Sequence, residues 1–156
     1  MEKKYAGFWW RFIAYLLDTV IINTVLSIFI IPIMALLGFT AFKASSYNFS
    51  EADALGMVGV VTGFVLLFIM LALVAGWLYF ALMESSKYQG TIGKIAIGLI
   101  VTDMDGNKIS FARATGRYFG KFISGIILDI GYFMAGFTEK KQALHDMLAS
   151  TLVWKK

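Results

Sequence analysis

The sequence predicts an all-α integral membrane protein with two full transmembrane helices, N-terminus inside, and a third hydrophobic helical segment that is re-entrant or spanning. A small cytoplasmic β-hairpin or strand element completes it. Three observations carry this reading. Hydrophobic residues make up 59% of the 156 positions and the mean hydropathy is +0.74, more apolar surface than a soluble domain of this size can bury. Two apolar runs are long enough to cross a bilayer. The basic residues crowd the ends of those runs and avoid the connection between them.

Helix 1 is placed at about 8–37. Its core, Phe12 to Leu37, holds a single charge, Asp18, and at about 1.5 Å per residue it exceeds the roughly 30 Å hydrocarbon layer. Met1-Glu2-Lys3-Lys4 ahead of it has a signal-peptide flavour, but the run is too long and lacks a small-residue cleavage site, so a retained helix is expected. Phe8, Trp9, Trp10 and Tyr15 suit the interface. Helix 2, about 57–83, carries no charge and ends in Trp77, Tyr79 and Phe80; Gly59 and Gly63 fit small-xxx-small helix packing. Of the 14 Lys and Arg residues only Lys43 lies in the Gly38–Gly56 connection, which places that loop outside and the N-terminus in the cytoplasm.

A cytoplasmic segment, about 84–110, follows. Gly90 to Ile97 predicts a short interfacial helix, and Leu99 to Phe111 a small hairpin turning at Asp105-Gly106. Ala149 to Trp154, in a cytoplasmic tail of about 138–156, is a further strand able to pair with it. The third hydrophobic segment, about 111–137, opens with Arg113, Arg117 and Lys121, holds Asp129 and is followed by Lys140 and Lys141. Basic residues at both ends disfavour a simple crossing, and its glycines favour a re-entrant hairpin packed inside protein; a third span is the alternative. With no linker and no repeat, residues 1–156 form one membrane domain.

Several chemistries are excluded. Cys is absent, so there is neither disulfide nor thiolate, and a net charge of +4 without a basic stripe points to lipid headgroups instead of nucleic acid. Gly90-Thr91-Ile92-Gly93-Lys94 is too short for a phosphate loop, with Ile95 where Ser or Thr would hold Mg²⁺. Asp103-Met104-Asp105-Gly106-Asn107 lacks the bidentate Glu of a calcium loop. Both read as turns. His145, the only histidine, assembles neither a metal cluster nor a nucleophile pair and reads as an isolated surface residue, although it could sense pH beside Asp146. No catalytic residue, metal or cofactor is expected.

The polar residues of interest are Arg11, Asp18, Glu84, Arg117, Asp129 and Asp146. Arg11 and Asp18, about two turns apart, share one helix face but cannot pair as neighbours three or four apart would; Arg11 can snorkel to headgroups. An ionised Asp18 on a lipid face costs roughly 2.5 kcal/mol or more, so it requires a partner, a watery cavity or a proton. A fold-fixing ion pair or cap and an ion-handling role both satisfy that requirement. For Asp146 the alternatives are a helix cap or ion pair and a cation site; for Asp129, a polar break at a hairpin tip.

The run Tyr5-Ala6-Gly7-Phe8-Trp9-Trp10-Arg11-Phe12-Ile13-Ala14-Tyr15-Leu16-Leu17-Asp18 resembles the opening of the RDD family of small prokaryotic membrane proteins, named for an arginine and two aspartates. Gly90-Thr91-Ile92-Gly93-Lys94, Gly98-Leu99, Asp105-Gly106, Arg117 and Lys141 through Val153 follow in order. The resemblance makes Arg11, Asp18 and Asp146 the eponymous residues, with His145 and Ser150 standing where many relatives have glycine. It implies a transport-related role in the inner membrane, with cation/proton exchange proposed for some members. If Asp18 gathers with Arg11 or Arg117 and with Asp146, a proton or monovalent cation can compete with arginine for the carboxylate. Two or three helices are few to enclose a pathway, so transport implies a homo-oligomer. The alternative is a non-catalytic scaffold or assembly subunit in which the same residues are structural.

Overall fold

A computed structural model describes residues 4–45, 50–126 and 130–156; Asp129 lies outside them. The described elements in chain order are β1 (Lys4–Tyr5), α1 (Phe8–Ser45), α2 (Glu51–Ser85), α3 (Ile92–Ala96), β2 (Leu99–Asp103), α4 (Phe111–Ile126), α5 (Ile130–Phe137), α6 (Leu144–Leu148) and β3 (Thr151–Lys155). They fall into two compact units, one built from the chain up to Val20 with Gly76–Lys156, the other from Ile21–Ala75.

The second unit contains only portions of α1 and α2. Both helices have the length and hydropathy of a membrane span, and the most apolar window of each is unburied. Exposed Ile28, Ile31, Phe64 and Met70 would be a liability in water; in lipid they are solvated. The two helices run longer than their apolar cores require. α2 starts at Glu51 because Ser50 and Asp53 form a reciprocal cap: Asp53 N donates to Ser50 Oγ at 3.2 Å, and Ser50 N to Asp53 Oδ2 at 3.2 Å. An added Cβ at Gly59 or Gly63 meets nothing within 4 Å, so neither glycine is packed against within the chain.

The first unit is organised on a three-stranded antiparallel sheet in the order β1-β3-β2, with Tyr5 opposite Trp154 and Val101 opposite Val153. β2 does not fold back into a hairpin. Asp105-Gly106 turns the chain as expected, with Gly106 at φ +87°, but residues 107–110 form no strand and the partner of β2 is the carboxyl-terminal β3. The reason is local: Asp103 Oδ1 accepts the amides of Asp105 and Asn107 at 3.0 and 2.8 Å, which closes a side-chain turn in place of a ladder. Four of the five residues of β2 are buried, and Leu99, Val101 and Val153 meet Ala6, Ala14, Ala81 and Ala114 in the core. Alanines at the helix positions let α1, α2 and α4 approach the sheet closely. Ser150, just ahead of β3, sits at φ +50°, the left-handed conformation that favours glycine.

Helix α4 is inverted relative to a helix in water. Ala114, Arg117, Gly120 and Ser124 are buried, whereas Phe119, Phe122, Ile123 and Ile126 are exposed. Of the basic residues that argued against a crossing, Arg117 is turned fully inward and Lys121 partly, whereas Arg113 stays exposed. α4 and α5 meet at 103° and pack on each other, with Tyr132 Oη donating to Lys121 O at 3.0 Å. Gly131 is required at this contact, since a Cβ there would come within 2.9 Å of Ser124 Cα.

Candidate functional site

Arg11 stands in the first turn of α1, Glu84 in the last turn of α2, Arg117 midway along α4 and Asp146 within α6. The first unit of the fold brings all four together. Arg117, 1% exposed, is the hub: its Nε and Nη2 donate to Asp146 Oδ1 at 2.8 and 2.6 Å, and its Nη1 to Glu84 Oε2 at 2.7 Å. Asp146 Oδ2 accepts from Arg11 Nη1 and from the Ala143 amide at 3.0 Å. Glu84 Oε1 accepts from Lys94 Nζ. Lys121 Nζ lies 4.0 Å from Glu84 and 4.1 Å over the Phe80 ring. The remaining donors of Arg11 go to backbone carbonyls, Nε to Ala6 at 2.8 Å and Nη2 to Lys141 at 2.6 Å. Arg11 is therefore committed to protein and does not snorkel.

Asp18 does not join this network. Its carboxylate, 1% exposed, accepts from Tyr79 Oη at 2.8 Å, Thr91 Oγ1 at 2.5 Å and the Gly93 amide at 2.8 Å. It caps the start of α3 from another helix. Among the described residues no lysine or arginine forms an ion pair with it. The condition set for ion competition, Asp18 gathered with Arg11 or Arg117 and with Asp146, is not met by these contacts, which form two sites. α3 approaches so closely here that a Cβ on Gly93 would overlap Ala14 O and stand 2.9 Å from Asp18 Cγ. Each Asp18 contact joins α1 to α2 or to the 91–93 segment, so the carboxylate ties three elements.

Three groups of the site lie outside the long apolar helices and the α4–α5 segment. Burial alone would raise the Asp146 carboxyl; Arg117 and then Arg11 outweigh it and hold the group well below the ordinary carboxylate range. Burial lowers the Lys94 ammonium to about 7, with Glu84 opposing. Burial also lowers the His145 imidazole well below 6.5, with Asp146 opposing and Arg117 assisting.

His145 is not a surface residue. It is 4% exposed, with Nδ1 3.3 Å from Ser124 Oγ, Nε2 3.5 Å from Asp146 Oδ1 and its ring 5.2 Å from Tyr132. Gly120 makes this possible, because a Cβ there would stand 3.1 Å from His145 Cβ. A ring buried neutral contributes stability that is fully present above pH 6.5 and lost as pH falls below it. Thermal melts in detergent should therefore decline as pH drops from 6.5, and His145→Gln should flatten that part of the profile. Parallel profiles for the two proteins would remove His145 as the cause.

Reading the sequence found Arg11, Asp18, Glu84, Arg117 and Asp146, and Asp146 makes both the cap contact and the ion pair that formed one of its two alternatives. It missed Tyr79, Thr91, Gly93, Lys94 and Lys121. Tyr79 reads as an interfacial aromatic and residues 90–94 as a turn, yet Thr91, Gly93 and Lys94 all contact the buried acids. The usable signal was Glu84 itself: an acid at the end of an apolar helix requires a cation from the chain that follows.

The chain is 37% identical over 153 residues to "Uncharacterized protein YxaI" of Bacillus subtilis (strain 168), covering 98% of both. It is 28% identical over 159 residues to "Uncharacterized membrane protein YteJ" of the same organism, covering 98% of this chain and 82% of that protein. No solved structure matches. Residues 5–150 match the RDD family, an interval that takes in Arg11, Asp18 and Asp146, and the chain belongs to that family.

Proposed function

We propose that this membrane protein is a non-catalytic assembly subunit whose charged residues lock a lipid-embedded fold. One observation carries the reading: among the described residues no buried side-chain nitrogen or oxygen lacks a hydrogen-bond partner. Arg11, Asp146, Arg117 and Glu84 pair with one another across four helices, which suits a lock. The basic residues support insertion in the inner membrane of a prokaryote with the N-terminus cytoplasmic, since Lys43, in the last turn of α1, is the only one of 14 between the two apolar runs. The open faces of Gly59 and Gly63 support a homo-oligomer packed through α2. Asp18→Asn and Asp146→Asn are expected to lower the monodisperse yield in mild detergent and to dissolve the oligomer. Unchanged yield and assembly in both variants would overturn the proposal.

Cation/proton exchange within a homo-oligomer is the second reading, and Asp18 favours it. This buried carboxylate is compensated by two hydroxyls and an amide, without a cation. Lys94 adds a group that can release a proton near neutrality while Arg117 remains on Glu84. Proton-coupled cation flux in proteoliposomes, lost in Asp18→Asn with the fold intact, is the expected result on that reading; no flux under any cation gradient sinks it.

A further inference from the structure

In the first unit the start of α1 and the end of α5 enclose an open apolar groove of about 420 Å³. Phe8 and Phe133 stack at 4.8 Å between ring centroids along it, and Trp10 and Phe137 extend its walls. Gly7 and Gly136 also line it, and a Cβ added to either would meet nothing within 4 Å. The groove therefore exists because these two positions carry no side chain. Two ammonium groups reach residues that line it. Lys141 Nζ donates to Gly136 O at 2.8 Å, and Lys155 Nζ lies 3.2 Å from the centroid of the Trp10 ring. Neither lysine forms an ion pair among the described residues. Each keeps donors for an external anion. Arg11, by contrast, is spent on Ala6, Lys141 and Asp146.

An apolar trough with unneutralised cations at its rim, at the root of a membrane helix, matches an amphiphile with an apolar chain and an anionic head. We propose that the groove binds one anionic phospholipid, an acyl chain lying over Gly7 and Gly136 and the headgroup phosphate taken by Lys141 and Lys155. A zwitterionic lipid offers the same chain but cancels the phosphate with its own cation, so the lysines confer selectivity for net negative charge. None of Arg11, Asp146, Arg117 and Glu84 lines the groove, although Arg11 holds the Ala6 and Lys141 carbonyls beside it.

Native mass spectrometry of the full chain in mild detergent, titrated with phosphatidylglycerol or phosphatidylcholine, tests this. One tightly held phosphatidylglycerol is expected, roughly tenfold or more tighter than phosphatidylcholine given the benefit of each lysine near an anionic surface. Lys141→Gln with Lys155→Gln should bring the two lipids level. Gly136→Leu, which fills the trough, should weaken both, whereas Gly59→Leu on α2 should change neither. Should Gly136→Leu fail to fold, Gly7→Leu and the lysine pair carry the same test. Equal binding of the two lipids by the wild-type protein would overturn the proposal. So would lipid binding by Gly136→Leu equal to wild type.

Discussion

Arg117→Leu is expected to destabilise the protein by about 3–5 kcal/mol, the range for breaking buried ion pairs by removing one partner. Two carboxylates, Asp146 and Glu84, are each less than 2% exposed, and Arg117 bridges them with three donors. After the substitution Asp146 keeps Arg11 and Glu84 keeps Lys94, so neither acid is left without a cation, but each loses its shortest link to α4. Arg117→Lys should recover only part of the loss, because an ammonium cannot present the planar fork that spans two acids. Adding Glu84→Gln to Arg117→Leu should deepen the loss, since Glu84 is the ion-pair partner of the buried Lys94 ammonium. Unfolding of the detergent-solubilised protein, followed by helical signal, reads all three. A stability for Arg117→Leu equal to wild type would show that the network is decorative.

The membrane character was legible because it is written as composition: α1 and α2 exceed the bilayer core in length, and only Asp18 interrupts the first apolar run. The sheet was half legible. The strand at Ala149 to Trp154 was expected to be able to pair with the Leu99 segment and does so, but the local hairpin expected at Asp105-Gly106 is pre-empted by the Asp103 side chain. The acids and arginines were legible as anomalies in apolar surroundings. Which of them meet was not, because Arg11 and Asp18 share a helix face by spacing yet are drawn apart by α6 and α3, both five-residue helices with little periodicity of their own. His145 was misread for the same reason: nothing local reveals that Gly120, on α4, clears its place.

The junction of α1 with α3 offers the second large effect. Gly93→Ala is expected to cost at least the 1–3 kcal/mol typical of overpacking, because the new methyl would overlap the Ala14 carbonyl, part of the α1 backbone, and cannot be relieved by a rotamer change. Asp18→Asn at the same junction should cost about 1–3 kcal/mol: three donors converge on the carboxylate, and an amide nitrogen cannot accept from any of them. The two substitutions attack one contact from opposite sides, so their costs should not add. Hydrogen exchange of the Ile95 amide, bonded to Thr91 O at 2.9 Å, reports whether α3 stays seated. Exchange on the order of tenfold faster in both variants is expected if Asp18 is a lock. If Asp18 instead handles an ion, Asp18→Asn should lose flux with the Ile95 amide as protected as in wild type, while Gly93→Ala loses both. The pair therefore separates a residue that holds the helix from one that uses the helix to hold something else.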